Sequence, residues 1–212
     1  MKKRLLSLAL ALVIVLALVP TAAATSGGQK TAEVAVKYCN QRATASSFGF
    51  STDWCGAFLF RCAQEAGEAA AMCGSEYTMQ YNPRSMDWFI DNGAEVGYFY
   101  DALPWNTEAA VSRAKRINKS DYTPQTGDII YFDWEGYGNG GLYHVEIVTQ
   151  VNGRNVTTVG GNTQGDNWWD SSVNSRSSNI DSSPYIVAFV RPKYSNTSSS
   201  INSNDDDGGV ST

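Results

Sequence analysis

The sequence predicts an α+β domain, with helices from its first half packed on antiparallel strands from its second. Apolar residues recur at helical spacing over residues 31–43 and again from Trp54 to Ala66. Beyond residue 126 the pattern changes to short β-branched and aromatic runs. The two patterns do not alternate, which excludes a series of parallel βαβ units.

Each element has a local reason. Residues 31–43 form a helix with Val34, Ala35, Tyr38 and Cys39 on one side. Residues 46–52 are a small polar turn. The next helix starts near Trp54 with Asp53 as its N-cap, since a carboxylate accepts a first-turn N–H. It runs to about Ala66, and Gly67 stops it. Residues 84–92 make a short helix carrying Met86, Trp88 and Phe89, closed by Asn92-Gly93. A further helical stretch is expected over 107–119. The β half opens with a strand over 127–134, followed by a glycine-rich loop over 135–141. A strand over 143–151 turns at Asn152-Gly153, a hairpin signal, and 155–159 return beside it. Residues 186–190 form the last strand, and no internal repeat is present.

The two ends are of another kind. Lys2, Lys3 and Arg4 precede a nearly pure apolar run over 5–19, broken by Pro20 and followed by Ala22-Ala23-Ala24. This is the pattern of a secretory signal peptide over residues 1–24. The run is shorter than the roughly 20 residues of a membrane-spanning helix, so no stable membrane association is expected after cleavage. Residues 25–194 are one domain, long enough to bury a core. Residues 195–212 are rich in Ser, Asn, Asp and Gly and bury too little to offset their ordering entropy, so they read as a disordered tail. A secreted monomer is the expectation.

The chain carries a net charge of −5 with no basic stripe, which argues against nucleic acid as a partner. One histidine and no Cys-x-x-Cys pair argue against zinc, and the acidic spacing of a calcium loop is absent. No cofactor or metal is expected. Of four cysteines in an exported chain, one is singled out below, so the other three allow at most one bridge. Cys39 with Cys73 and Cys62 with Cys73 are both open. Cys62 falls on the apolar face of its helix and reads as a buried thiol.

Cys55 stands in the first turn of the helix that follows Asp53, where unpaired N–H groups and the helix dipole favour a thiolate. The same N–H groups are placed to stabilise an oxyanion, and Gly56 leaves room for a substrate. A buried cysteine is by itself an ordinary core residue; position distinguishes this one. His144, the single histidine, lies in an alternating strand that puts His144, Glu146 and Val148 on one face. A polar pair there is costly unless it faces a cleft, and His144 is the only imidazole available as a base. A third group must orient it. Asn162, at the end of the strand after the hairpin, and Glu146 are the candidates. The loop aromatics Trp134, Tyr137, Trp168 and Trp169 offer a groove lining, whereas Trp88 reads as core.

Together, Trp54-Cys55-Gly56-Ala57-Phe58, Gly127-Asp128-Ile129-Ile130-Tyr131-Phe132, His144-Val145-Glu146-Ile147-Val148 and Gly161-Asn162-Thr163 resemble the CHAP family of cysteine amidohydrolases and peptidases. The closing Arg191-Pro192-Lys193-Tyr194 also looks like that family's last strand. The resemblance implies a papain-like α+β fold and hydrolysis of an amide in bacterial peptidoglycan, as an N-acetylmuramoyl-L-alanine amidase or a cross-link endopeptidase at the cell wall. It maps Cys55 to the nucleophile, His144 to the base and Asn162 to the polar residue that follows. Many members carry a glutamate two residues before that asparagine; this chain has Gly160. Glu146, where many relatives have glycine, or Asn162 then takes over orientation of His144. A non-catalytic wall-binding module on the same fold, with Gly160 as a mark of decay, is the alternative from another class. A thiol peptidase acting on other substrates is a third.

Overall fold

The computed structural model describes residues 26–80, 82–99, 113–134, 142, 144–165 and 167–195. The expected signal peptide, the loop over 135–141 with Tyr137, and the tail beyond Ser195 lie outside the described residues.

Among the described residues, five α-helices come first: α1 (Gly27–Asn40), α2 (Ala45–Phe48), α3 (Cys55–Glu65), α4 (Glu76–Gln80) and α5 (Asn82–Asp91). Seven strands follow: β1 (Glu95–Phe99), β2 (Lys115–Ile117), β3 (Ile129–Phe132), β4 (His144–Asn152), β5 (Asn155–Thr163), β6 (Ser172–Asn179) and β7 (Ile186–Arg191). They form one sheet in the order β2-β1-β7-β3-β4-β5-β6, antiparallel except for the β1–β2 pair. The architecture is α+β.

The helix α3 is apolar nearly all round and lies at the centre. Residues from Cys55 to Phe60, with Cys62 and Ala63, are buried. Phe58 and Leu59 are fully buried, each contributing roughly 1.5–3 kcal/mol. Phe48, Phe50, Trp54 and Phe58 stack and meet edge to face around the start of α3. Central strand β3 is buried at every residue, as expected of a strand covered on both faces. Asp128 ties the start of β3 to the end of β7: its carboxylate accepts from Arg191 Nε and Nη2, both at 2.9 Å, and from the Tyr122 hydroxyl at 2.7 Å. The Gly-Asp pair of the sequence motif thus serves architecture.

Several expectations are corrected. Residues 115–117, expected in a helix over 107–119, are the edge strand β2, paired parallel with β1. That backbone pairing outweighs the helix propensity of Lys and Arg; residues 107–112 lie outside the described ones. Strand β1 escaped notice because Gly97 interrupts its pattern. A Cβ there would meet the Phe189 ring at 2.1 Å, so the glycine makes room for a core aromatic. Strand β6 is polar except for the buried Val173 and is held by its ladder to β5 rather than by alternation. Part of the polar turn over 46–52 belongs to the helical turn α2. Asp53 does not cap α3; Trp54 is the N-cap residue, with φ −142°, and its side chain makes no capping bond. All four cysteines are free thiols, so neither contemplated bridge forms. Cys62 is fully buried, as its helix face implied.

Candidate active site

Cys55 is the first residue of α3, and three features hold that end in place. The Trp54 indole is fully buried and donates to Ser171 Oγ at 3.0 Å and to the Trp168 carbonyl at 3.2 Å. Gly161 of β5 packs on the indole so closely that a Cβ would lie 2.4 Å from its ring. From the other side, Gln80 at the end of α4 accepts with Oε1 from Gly56 N at 3.1 Å and Ala57 N at 3.3 Å. Gln80, not Asp53, therefore satisfies the first-turn donors. Gly56 is required for this contact: a Cβ would meet the Met79 carbonyl oxygen at 2.1 Å and Gln80 Cα at 2.9 Å. The glycine makes room for α4, not for a substrate.

His144 opens β4, opposite Phe132 of β3, and its imidazole is coupled electrostatically to the Cys55 thiol. Its Nε2 lies 3.1 Å from Glu146 Oε1, which leaves Nδ1 as the nitrogen for the sulfur. Two residues along the strand bring Glu146 to the same face. Glu146 also accepts from the Thr158 hydroxyl of β5, and Arg176 of β6 places Nε 3.6 Å from its Oε1. Thiol, imidazole and carboxylate form a series with exposures of 2%, 4% and 1%.

Burial alone would keep every member neutral. It pushes the Cys55 thiol up, but the His144 bond and charge, with the Val145 and Gly56 backbone amides, bring it below its ordinary value. Burial pushes His144 down, yet its bonds to Cys55 and Glu146 raise it to about 9. Glu146 is lowered against its own burial by His144, Thr158 and Arg176. These directions favour a thiolate–imidazolium pair backed by a carboxylate. The other buried thiols contrast with this: burial drives Cys62 up, and Cys73 as well.

The register explains the place of Glu146. Ile147 pairs with Val159 across β4 and β5, and one step along the same ladder Glu146 faces Gly160. A Cβ on Gly160 would lie 2.6 Å from Glu146 Cγ and 3.0 Å from His144 Nε2. The space that a side chain at 160 would occupy is filled by Glu146. Asn162 lies elsewhere. At φ 60° it turns out of the β5 ladder, donates from Nδ2 to Asp53 Oδ1 at 3.2 Å and accepts from Ser171 Oγ at 2.9 Å. It fastens the end of β5 to the segment that leads into Cys55. Cys55, His144 and Glu146 are thus brought together, while Asn162 supports the neighbouring backbone.

Sequence reading missed three neighbours. Gln80 lies in a five-residue helix with no pattern of its own; the one local signal was Gly56, since a first-turn glycine often marks close backbone approach. Thr158 and Arg176 come from strands whose pairing alone aims them at Glu146. Of the loop aromatics, Trp134 is 37% exposed, stacks on Phe132 and lies 5.7 Å from the His144 ring. Arg176 covers its other surroundings, 4.5 Å from the indole. Trp169 is exposed, and Trp168 packs partly on the core. A groove of about 510 Å³ runs beside the start of α3, lined by Phe50, Asp53, Ala57, Tyr77 and Gln80 among others. Among the described residues no group of three or more His, Cys, Asp and Glu side chains gathers as a metal site.

A helix-borne thiol, a strand-borne imidazole and a buried carboxylate in series are the arrangement by which cysteine hydrolases are recognised. The CHAP domain matches residues 47–162, more than half of the chain, and the chain belongs to the CHAP family. Domains of this family are in general hydrolases of the amidase or peptidase type acting on peptidoglycan. A solved structure titled "The crystal structure of Ly7917" is similar over 78% of this chain at 15% identity and a TM-score of 0.34; the chain spans 62% of that protein's length. Among curated proteins none matches.

Proposed function

We propose that this protein is a secreted bacterial peptidoglycan hydrolase in which Cys55 is the nucleophile, His144 the base and Glu146 the group that orients His144. Residues 1–24 act as the export signal, 25–194 as the catalytic domain and the residues from 195 on as a tail. The observation that carries the reading is the buried series Cys55–His144–Glu146, whose charges favour a thiolate against the cost of burial.

The Cys55 thiolate attacks the amide carbonyl carbon, forming an S–C bond as the carbonyl π pair moves to oxygen. Collapse of this oxyanion restores C=O and breaks the C–N bond, and the leaving amine takes the proton from His144. Water then attacks the thioester while His144 takes its proton. Collapse releases the acid and regenerates the Cys55 thiolate beside a protonated His144. Glu146 holds the imidazole and balances its charge throughout. Asn162 positions the segment before Cys55. An N-acetylmuramoyl-L-alanine amide and a peptide cross-link both suit this chemistry.

Gly160 does not mark a decayed site in this reading, because the carboxylate across the ladder fills its place. The test is release of soluble fragments from purified peptidoglycan by residues 25–212 and by Cys55→Ala, with the fragments weighed by mass spectrometry. Fragments from the unmodified protein alone are expected, and their masses name the bond. Wall binding by both proteins with no fragments from either refutes the reading in favour of a binding module.

A further inference from the structure

We infer that Gln80 is the side-chain donor to the oxyanion, and that the same amide positions the nucleophile by capping its helix. The inference rests on the reading of Cys55 as the nucleophile.

The amide has one orientation. Two backbone N–H groups, from Gly56 and Ala57, converge on one of its terminal atoms. Only the carbonyl oxygen can accept both. The NH2 group must then point the other way, and Nε2 lies 4.0 Å from Cys55 Sγ. Donor and nucleophile are therefore already face to face.

The distance suits an oxyanion better than a thiolate. A developing oxyanion sits two bonds away from the sulfur, through the carbonyl carbon. An effective donor lies about 2.7–3.1 Å from that oxygen rather than from the nucleophile itself. A donor 4.0 Å from Sγ leaves space for the oxygen to enter between them. Gln80 also lines the groove beside α3.

The capping bonds sharpen the argument. Gly56 N and Ala57 N, first-turn donors otherwise available to an oxyanion, already donate to Gln80 Oε1. The Cys55 N–H has no acceptor within its own helix. During attack, the oxyanion accepts from Cys55 N–H and Gln80 Nε2. No proton leaves Gln80, and collapse of the oxyanion breaks both bonds again. The closeness of α4 that makes this possible requires Gly56, because a Cβ there would strike the Met79 carbonyl.

The test compares Gln80→Glu and Gln80→Ala with the unmodified residues 25–212. Gln80→Glu keeps an oxygen for Gly56 N and Ala57 N but sets a carboxylate oxygen, not an NH2 group, beside the sulfur. Two readouts are used. The first is fragment release from peptidoglycan, resolved into kcat and KM. The second is the rate of Cys55 alkylation by iodoacetamide across pH, which needs no peptidoglycan and forms no oxyanion. Thermal melting reports whether each variant folds.

For both variants kcat is expected to fall about 100-fold with KM little changed, the loss typical of one oxyanion donor. Gln80→Glu is expected to shift the alkylation inflection to higher pH while melting close to the unmodified protein. Wild-type kcat in folded Gln80→Glu overturns the inference. So does a loss no larger than the unfolded fraction of either variant. If the unmodified protein releases no fragments, the peptidoglycan reading fails by itself. Alkylation then decides on Gln80: an inflection unmoved in Gln80→Glu refutes the contact with the sulfur.

Discussion

Glu146→Gln tests the charge behind His144 with the smallest change of shape. Two features bound its effect. His144 rises from 6.5 to about 9, which at 1.36 kcal/mol per pKa unit is roughly 3 kcal/mol in favour of the imidazolium. Glu146 shares that work with Cys55, whose interaction with His144 contributes more. A hydrogen bond to a charged group contributes about 1.5–3 kcal/mol. The variant should therefore lose roughly ten- to hundredfold in kcat/KM, at about 1.4 kcal/mol per decade. Its alkaline limb should also move to lower pH, since the imidazolium loses its counter-charge. The assay is fragment release from peptidoglycan measured from neutral pH to pH 10 for both proteins. Unchanged kcat/KM with an unmoved alkaline limb would remove Glu146 from the mechanism.

Further outcomes follow from the same geometry. In the unmodified protein the ion pair is lost as pH rises through the His144 value of about 9, so kcat/KM should fall there. A group with a raised pKa contributes stability fully below its unfolded value of 6.5 and loses it through about 9, so the melting temperature should show a His144-dependent decline over that interval. Gly160→Ala forces a Cβ against Glu146 and His144 and should cost about 1–3 kcal/mol of stability, together with activity. The exchange Glu146→Gly with Gly160→Glu should then exceed either single variant in fragment release, because the carboxylate crosses the ladder without leaving His144. Gly56→Ala drives a Cβ into backbone, which cannot swing aside as a side chain can, and should lower the melting temperature by an amount matching 3 kcal/mol or more.

What the sequence conveyed follows from which interactions are local. A cysteine in a first helical turn and a histidine in an alternating strand are visible because dipole and periodicity act over a few residues. The helix α3 and strands β3, β4 and β7 were legible for the same reason: each carries its own apolar pattern. Strand β6 has no such pattern. Its polar residues gain strand geometry only from β5, so the Arg176 that it aims at Glu146 was invisible. Strand β2 was hidden too, because its three residues gain strand form only by pairing with β1. Gln80 reaches Cys55 across 25 positions of chain, a contact that no spacing rule encodes. The N-cap was misread for a related reason. Asp53 has the right chemistry, but Asn162 holds its carboxylate, and the capping oxygen comes from Gln80.

The position of Glu146 shows how a sheet constrains substitution at a site. Side chains opposite one another on β4 and β5 share one volume between the strands, so residues 146 and 160 cannot both be large. A glycine at 160 is consequently not a gap but the condition for a glutamate at 146. The exchange leaves the carboxylate beside Nε2 while changing what else it touches. From β4 it accepts from Thr158 on one neighbouring strand and meets Arg176 from the next. Arg176 in turn covers Trp134 beside the His144 ring. A carboxylate anchored on the histidine's own strand moves with that histidine, so small shifts of β5 leave their separation unchanged. The pair is thereby held by the local geometry of two residues on one strand, and the registration of β5 is left to place Asn162 and Gly161 against the segment that carries Cys55.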